Sequence, residues 1–265
     1  MTDELIKDIE KNLNIKFNKC NVKYFTDGAT DSVVFSIDNK YLIKTVDKLT
    51  YKTQVEFFIN YKSHYFQKLI YSSKKFSYLC FEYIEGEKLC SLNNLDINKI
   101  IKQIYEITSS YRNYEYDGYG YLYEDYNKSW YQFLYDEVCY SKQEIENIST
   151  IKVENALNII KKYTVCKYLL HGDFGAHNFL INDNKIKVID PMGVIGDNLY
   201  DFYFAIFSNT AIFTKTNLDF ILSFYDNKLE YKKALLIIVV YIRMSRAHKY
   251  DIKNFDKFYK LFNIL

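Results

Sequence analysis

The sequence predicts an α+β chain in two parts, a small antiparallel sheet with an inserted helix over residues 1–85 and a larger, mostly helical part over 86–265. Three observations predict it. Short β-rich runs crowd the opening part and stop at Gly86. Beyond Gly86 the apolar side chains recur at helical spacing almost to the end. One short strand pair, at 179–182 and 185–190 with a turn at Asp183-Asn184, interrupts the helices. A β-rich part, a hinge and a helical part imply a cleft between them, where ligands usually bind.

Leu5, Ile9 and Leu13 mark a helix over 3–13. Strands are expected over 22–25, 32–37 and 40–46, the last two joined at Asp38-Asn39, residues that accept the positive φ of a tight hairpin turn. A helix over 49–62 carries Val55, Phe58 and Ile59 on one face, and two more strands follow near 67–72 and 76–83. The predicted sheet therefore has five strands, with a helix after the third. Helices are expected next over 95–110, 128–140, 150–164, 199–208, 216–226, 229–248 and 252–264.

The 265 residues are 49% hydrophobic and 26% charged, a composition that supports a large core and excludes disorder. With 35 basic against 33 acidic side chains the net charge is +2, which speaks against a nucleic-acid partner. Tyr and Phe are abundant, but Lys, Asn and Ile are inflated with them. Biased codon usage accounts for that pattern better than stacking platforms do. Cys20, Cys80, Cys90, Cys139 and Cys166 form no Cys-x-x-Cys pair, so neither a disulfide framework nor a zinc site is expected. The charged N-terminal stretch lacks an apolar signal region, and the longest apolar run, 234–242, is too short for a bilayer. These features predict a cytoplasmic protein with no membrane partner.

The strongest chemical signal is His171-Gly172-Asp173-Phe174-Gly175-Ala176-His177-Asn178, followed by Asp190 at the end of the second strand of the pair. Phosphoryl transfer needs a carboxylate to orient a hydroxyl and accept its proton, and oxygen ligands to hold Mg²⁺ against the phosphates. Asp173, Asn178 and Asp190 supply these groups. A chance match to His-Gly-Asp-x4-Asn is expected in about one such chain in a thousand.

This loop resembles the catalytic loop of the aminoglycoside phosphotransferase family, a small-molecule branch of the bilobal protein-kinase-like fold. The resemblance implies Asp173 as catalytic base, Asn178 and Asp190 as metal ligands, and His171 as structural support. It implies ATP or GTP as co-substrate and Mg²⁺ as cofactor. Lys44 on the third strand would pair with the phosphates, and Glu56 on the next helix would hold it. The segment 81–86 resembles a kinase hinge, with the Glu82 carbonyl and Ile84 N–H facing the purine edge and Phe81 lining the back of the pocket. The loop 26–32 has one glycine, Gly28, with Thr30 and Ser32 as candidate phosphate donors; a plain hairpin turn reads equally well.

Gly172 and Pro191 replace residues that protein kinases use for a switchable activation segment, which favours the small-molecule branch. Asp201 is expected to accept backbone hydrogen bonds from the catalytic loop. Residues 111–137 correspond to the acceptor region of the family. Six carboxylates, Glu115, Asp117, Glu124, Asp125, Asp136 and Glu137, would attract a cationic acceptor there, and Trp130 would pack against a sugar ring, although such charges often form only a solvated face. The acceptor so implied is a small hydroxyl-bearing molecule, foremost an aminoglycoside. Choline, a sugar or an amino alcohol is the alternative, and a nucleotide-binding pseudoenzyme is a third reading.

Overall fold

The computed structural model describes all residues except 1–2, 17, 19–20, 26–31, 93–95, 125–126, 183–184, 210–211 and 213–216. Gly28, Thr30, Asp125 and the Asp183-Asn184 turn lie outside the described residues. The chain divides into two compact units, residues 1–88 with 179–192, and residues 89–178 with 193–265.

The first unit opens with helix α1 (Asp3–Leu13), then strands β1 (Val22–Phe25), β2 (Val34–Ile37) and β3 (Tyr41–Thr45). Helix α2 (Lys48–Asn60) follows, capped by the Asp47 carboxylate, and then β4 (Leu69–Ser73), β5 (Tyr78–Glu82) and the short β6 (Glu87–Lys88). The main sheet is antiparallel throughout, in the order β1-β2-β3-β5-β4. Asp38, Asn39 and Lys40 connect β2 to β3, with Ile37 opposite Tyr41, and Asp38 and Asn39 take φ of 52° and 49°, left-handed values that Asp and Asn accept readily.

Strand periodicity assigns the faces of this sheet. Phe35, Ile37, Ile43, Tyr78 and Cys80 pack with Leu5 and Ile9 of α1 in one cluster. Their neighbours in sequence, Lys44 on β3 and Phe81 on β5, therefore point to the opposite face. On that face Phe81 meets Phe58 of α2, ring centroids 5.0 Å apart. The buried stripe of α2 is Thr53, Gln54, Phe57 and Phe58. The expected face of Val55, Phe58 and Ile59 is thus displaced: Ile59 is 57% exposed. Two adjacent phenylalanines anchor the helix and outweigh the isolated apolar residues beside them.

The second unit contains α3 (Ile97–Ser109), β7 (Gly120–Tyr121), α4 (Trp130–Glu144), α5 (Ile151–Ile160) and β8 (Tyr168–Leu170). The hairpin of β9 (Phe179–Asn182) and β10 (Lys185–Val188) comes next in sequence but groups with the first unit, because β9 pairs with β6. The second unit then resumes with β11 (Val194–Gly196), α6 (Asn198–Ile206), α7 (Leu218–Ser223), α8 (Leu229–Tyr250) and α9 (Ile252–Ile264). A small sheet runs β7-β11-β8. Every residue from Leu199 to Ile206 is buried, and α8 packs against α4, α5, α6 and α9. The helices match the expected positions closely. Strands β6, β7, β8 and β11, of two or three residues each, were not expected; runs that short carry no readable period.

Candidate active site

In the first unit, the Lys44 ammonium pairs with the Asp190 carboxylate. Glu56 was expected to hold Lys44. It accepts instead from its own helix, Asn60 Nδ2 to Glu56 Oε1 at 2.9 Å. The α2 residue that reaches the Lys44–Asp190 pair is Gln54, whose Nε2 donates to Asp190 Oδ1 at 2.5 Å and to the Pro191 carbonyl at 3.3 Å. Two residues turn a helix by about 200°, so Gln54 and Glu56 cannot face the same strand. Gln54 is 2% exposed, and its Oε1 has no partner among the described residues. Asp190 itself sits at φ 61°, in the left-handed region that, after Gly, Asn and Asp enter most readily.

The segment after β5 is also part of the first unit. Tyr83 N–H donates to the Lys40 carbonyl, and the Glu82 carbonyl accepts from Gln67 Nε2 at 2.9 Å. The Ile84 N–H makes no hydrogen bond among the described residues, so it stays available to an acceptor. Phe81 is buried against α2. Gly86 lets the chain pass β9 closely: a Cβ there would lie 2.9 Å from the Ile181 carbonyl oxygen. Ser32 is half-buried just before β2.

In the second unit, the loop from His171 to Asn178 is held from below by Asp201 on α6. Asp201 Oδ2 accepts the His171 N–H at 2.7 Å and the Tyr111 hydroxyl at 2.9 Å, and Oδ1 accepts the Gly172 N–H at 3.2 Å. His171 is fully buried, with its ring against Phe174. Gly172 has φ +82°, and a Cβ there would come within 2.6 Å of Val194 Cγ2. No larger residue fits this backbone. Gly172→Ala is expected to destabilise the fold by about 2–4 kcal/mol, from left-handed strain plus the clash. Urea unfolding measures it, and an unchanged midpoint would contradict the packing described.

Asp173 sits at the centre of this loop. Its Oδ2 meets His177 Nε2 at 2.9 Å and accepts Asn178 Nδ2 at 3.1 Å; its Oδ1 accepts Arg246 Nη1 at 3.1 Å. Gly175 makes room for this arrangement, since a Cβ there would strike the His177 ring at 2.6 Å. Asn178 Nδ2 also donates to the Asp173 carbonyl at 2.9 Å. The Asn178 nitrogen is therefore spent on Asp173, on both its main-chain and its side-chain oxygen.

No family model matches the sequence, and no curated protein matches it. Solved structures match along nearly its whole length. A gentamicin complex of APH(2″)-IIa is 18% identical with a TM-score of 0.58, the match covering 98% of this chain and 95% of that one. ADP-bound aminoglycoside phosphotransferase APH(2″)-Ib is 17% identical with a TM-score of 0.56, covering 97% of each. Choline kinase of Cryptosporidium parvum is 14% identical with a TM-score of 0.59, covering 98% of this chain and 95% of that one. The chain has the aminoglycoside phosphotransferase fold. At these identities the likeness is one of architecture, and the chemistry must be argued from this chain's own side chains.

Within that fold the expected acceptor residues separate. Trp130 is only 3% exposed; its Nε1 donates to the Tyr231 hydroxyl, which donates to Asp197. A Cβ on Gly196 would strike its ring at 2.6 Å. Trp130 is therefore a packing residue and cannot stack on a sugar. Asp136 is paired with Lys128 at 2.8 Å and accepts from Gln132. Glu115 and Asp117 are exposed. The carboxylate that approaches Asp173 through a shared cation is Glu137, 3.7 Å from Arg246 Nη2 and 2.8 Å from the Tyr121 hydroxyl that donates to it. Sequence reasoning missed Gln54 and Arg246, which lie in helices where no local motif distinguishes them, and it placed Glu137 only in the acidic acceptor cluster, not beside Arg246.

Proposed function

We propose that the chain is a kinase that transfers the γ-phosphate of ATP or GTP to a hydroxyl group of a small molecule. The observation that carries this reading is the Asp173 carboxylate, ringed by His177, Asn178 and Arg246 in a loop tethered to Asp201. In the reaction the acceptor hydroxyl oxygen bonds to the γ-phosphorus. The bond from that phosphorus to the β–γ bridging oxygen breaks, and its electrons leave with the nucleoside diphosphate. The hydroxyl proton passes to Asp173. Because the transition state is loose, orientation of the hydroxyl matters more than the strength of the base.

Lys44 is the candidate phosphate ligand, released from Asp190 when nucleotide binds, and the Ile84 N–H is the candidate base contact. Asn178 and Asp190 offer an amide and a carboxylate oxygen, a donor set that fits Mg²⁺. When bound, the ion supplies neutralisation of phosphate charge. Replacing either residue by alanine is expected to abolish Mg²⁺-dependent nucleotide binding. Calorimetric titration of Asn178→Ala and Asp190→Ala tests this, and parental affinity in either variant would remove that residue from the metal site.

An aminoglycoside-type acceptor is the favoured substrate: the fold is shared with a gentamicin-bound phosphotransferase, and Glu115 and Asp117 remain exposed to attract a cation. A metabolic acceptor such as choline or another amino alcohol is the second reading. It is favoured by the choline kinase likeness and by the pairing of Asp136 and Glu137 within the protein, which leaves less charge for a polycation. Incubation of ATP or GTP and Mg²⁺ with a panel of aminoglycosides, choline, sugars and amino alcohols, scored by product mass, decides between them. Absence of any phosphorylated product would favour a nucleotide-binding pseudoenzyme.

A further inference from the structure

Arg246 comes from the last quarter of the chain and belongs to no motif, yet its guanidinium joins two carboxylates. Nη1 donates to Asp173 Oδ1 at 3.1 Å, and Nη2 lies 3.7 Å from Glu137 Oε2. The group is seated 4.6 Å from the centroid of the fully buried Phe204 ring, a flat platform that suits a planar cation. Glu137 is itself fixed on its other oxygen by the Tyr121 hydroxyl at 2.8 Å. The clamp therefore runs from Tyr121 through Glu137 and Arg246 to Asp173, with each partner engaged.

A carboxylate accepts about four hydrogen bonds, two on each oxygen. Asp173 Oδ2 already takes two, from His177 and Asn178. Oδ1 takes one, from Arg246, so its second lone pair is the remaining capacity. We propose that Arg246 is a positioning residue that locks the Asp173 carboxylate so that Oδ1 receives the acceptor's hydroxyl proton, and that Glu137 holds Arg246 in register. This inference rests on the kinase reading above. The proton moves from the acceptor oxygen to Oδ1 as that oxygen bonds to the γ-phosphorus of the nucleoside triphosphate and the diphosphate leaves. Lysine cannot replace arginine here, because one ammonium cannot span two carboxylates while lying on an aromatic ring.

The test compares the parent chain with Arg246→Ala, Arg246→Lys and Glu137→Gln, using the acceptor that the panel identifies. Arg246→Ala is expected to lower kcat about 100-fold, the scale for a misoriented reacting group, with the nucleotide KM little changed. Guanidinium ion, added well below denaturing concentration, is expected to restore at least about tenfold of that loss in Arg246→Ala, because it can refill the vacated seat between the two carboxylates. Arg246→Lys is expected to stay well below the parent, and Glu137→Gln to fall between the two. Parental kcat in Arg246→Ala would overturn the proposal. So would a loss that guanidinium does not relieve, which would mark Arg246 as a packing residue. If the parent phosphorylates no acceptor, the kinase reading fails and this inference falls with it; an active parent beside an unaffected variant sinks the inference alone.

Discussion

Asp173→Asn is expected to lower kcat by about 10²–10⁴-fold while nucleotide affinity stays near that of the parent chain. The substitution keeps the shape of the side chain and leaves the main-chain bond from Asn178 intact. What it removes is the negative charge that, in the proposed reaction, would orient the hydroxyl and take its proton. Burial alone would raise the Asp173 carboxyl. The hydrogen bond from His177, and the charges of His177, Arg246 and His171, outweigh burial and hold it well below the usual carboxylate range. Its ionisation therefore contributes stability that is present above the unfolded value of about 3.8 and is lost as pH falls through the lower folded value. Asp173 is expected to add no limb to the rate profile between about pH 5 and 9. Steady-state kinetics of the parent and Asp173→Asn check both points, and a kcat within a few-fold of the parent would remove Asp173 from the reaction.

Asp201→Ala is expected to destabilise the second unit by about 3–5 kcal/mol, since three buried donors lose their acceptor at about 1–3 kcal/mol each. The substitution strands the N–H groups of His171 and Gly172 and the Tyr111 hydroxyl in an interior that water does not reach. Because those two N–H groups shape the loop that carries Asp173, activity should fall along with stability. Burial pushes the Asp201 carboxyl up to about 7, against the hydrogen bonds of Tyr111, His171 and Gly172, which lower it. Between about pH 4 and 7 the folded chain then holds a proton that the unfolded chain has released. The contribution of Asp201 to stability is full below its unfolded value and is lost as pH rises through the folded value. Asp201→Asn, which cannot titrate, should lack that slope. Urea denaturation across this window measures it, and identical pH dependence in the two proteins would show that Asp201 does not titrate there.

Much of the site was legible because its chemistry is local. His171 to Asn178 occupy eight successive positions, and the loop geometry carries Asp173 and Asn178 together wherever the rest of the chain goes. The alternation of β3 is equally local: Ile43 goes to the core with α1, so Lys44 goes to the other face. Other assignments depended on packing. Glu56 and Gln54 are both polar residues of one helix, and only the seating of Phe57 and Phe58 decides which of them meets Asp190. Trp130 reads as an exposed aromatic platform until the approach of Gly196 and Tyr231 buries it.

The amino-acid sequence alone determined the α+β class, the helices, the main sheet and the loop over 171–178, since these follow from short-range periodicity and from residues adjacent in the chain. Tertiary structure alone decided that Gln54 joins Lys44 and Asp190, that Trp130 is buried, and that Arg246, 73 residues beyond Asp173, ties its carboxylate to Glu137. The physical reason is that a helix or strand specifies which side chains share a face, whereas the partner that face meets is chosen by the packing of the whole core.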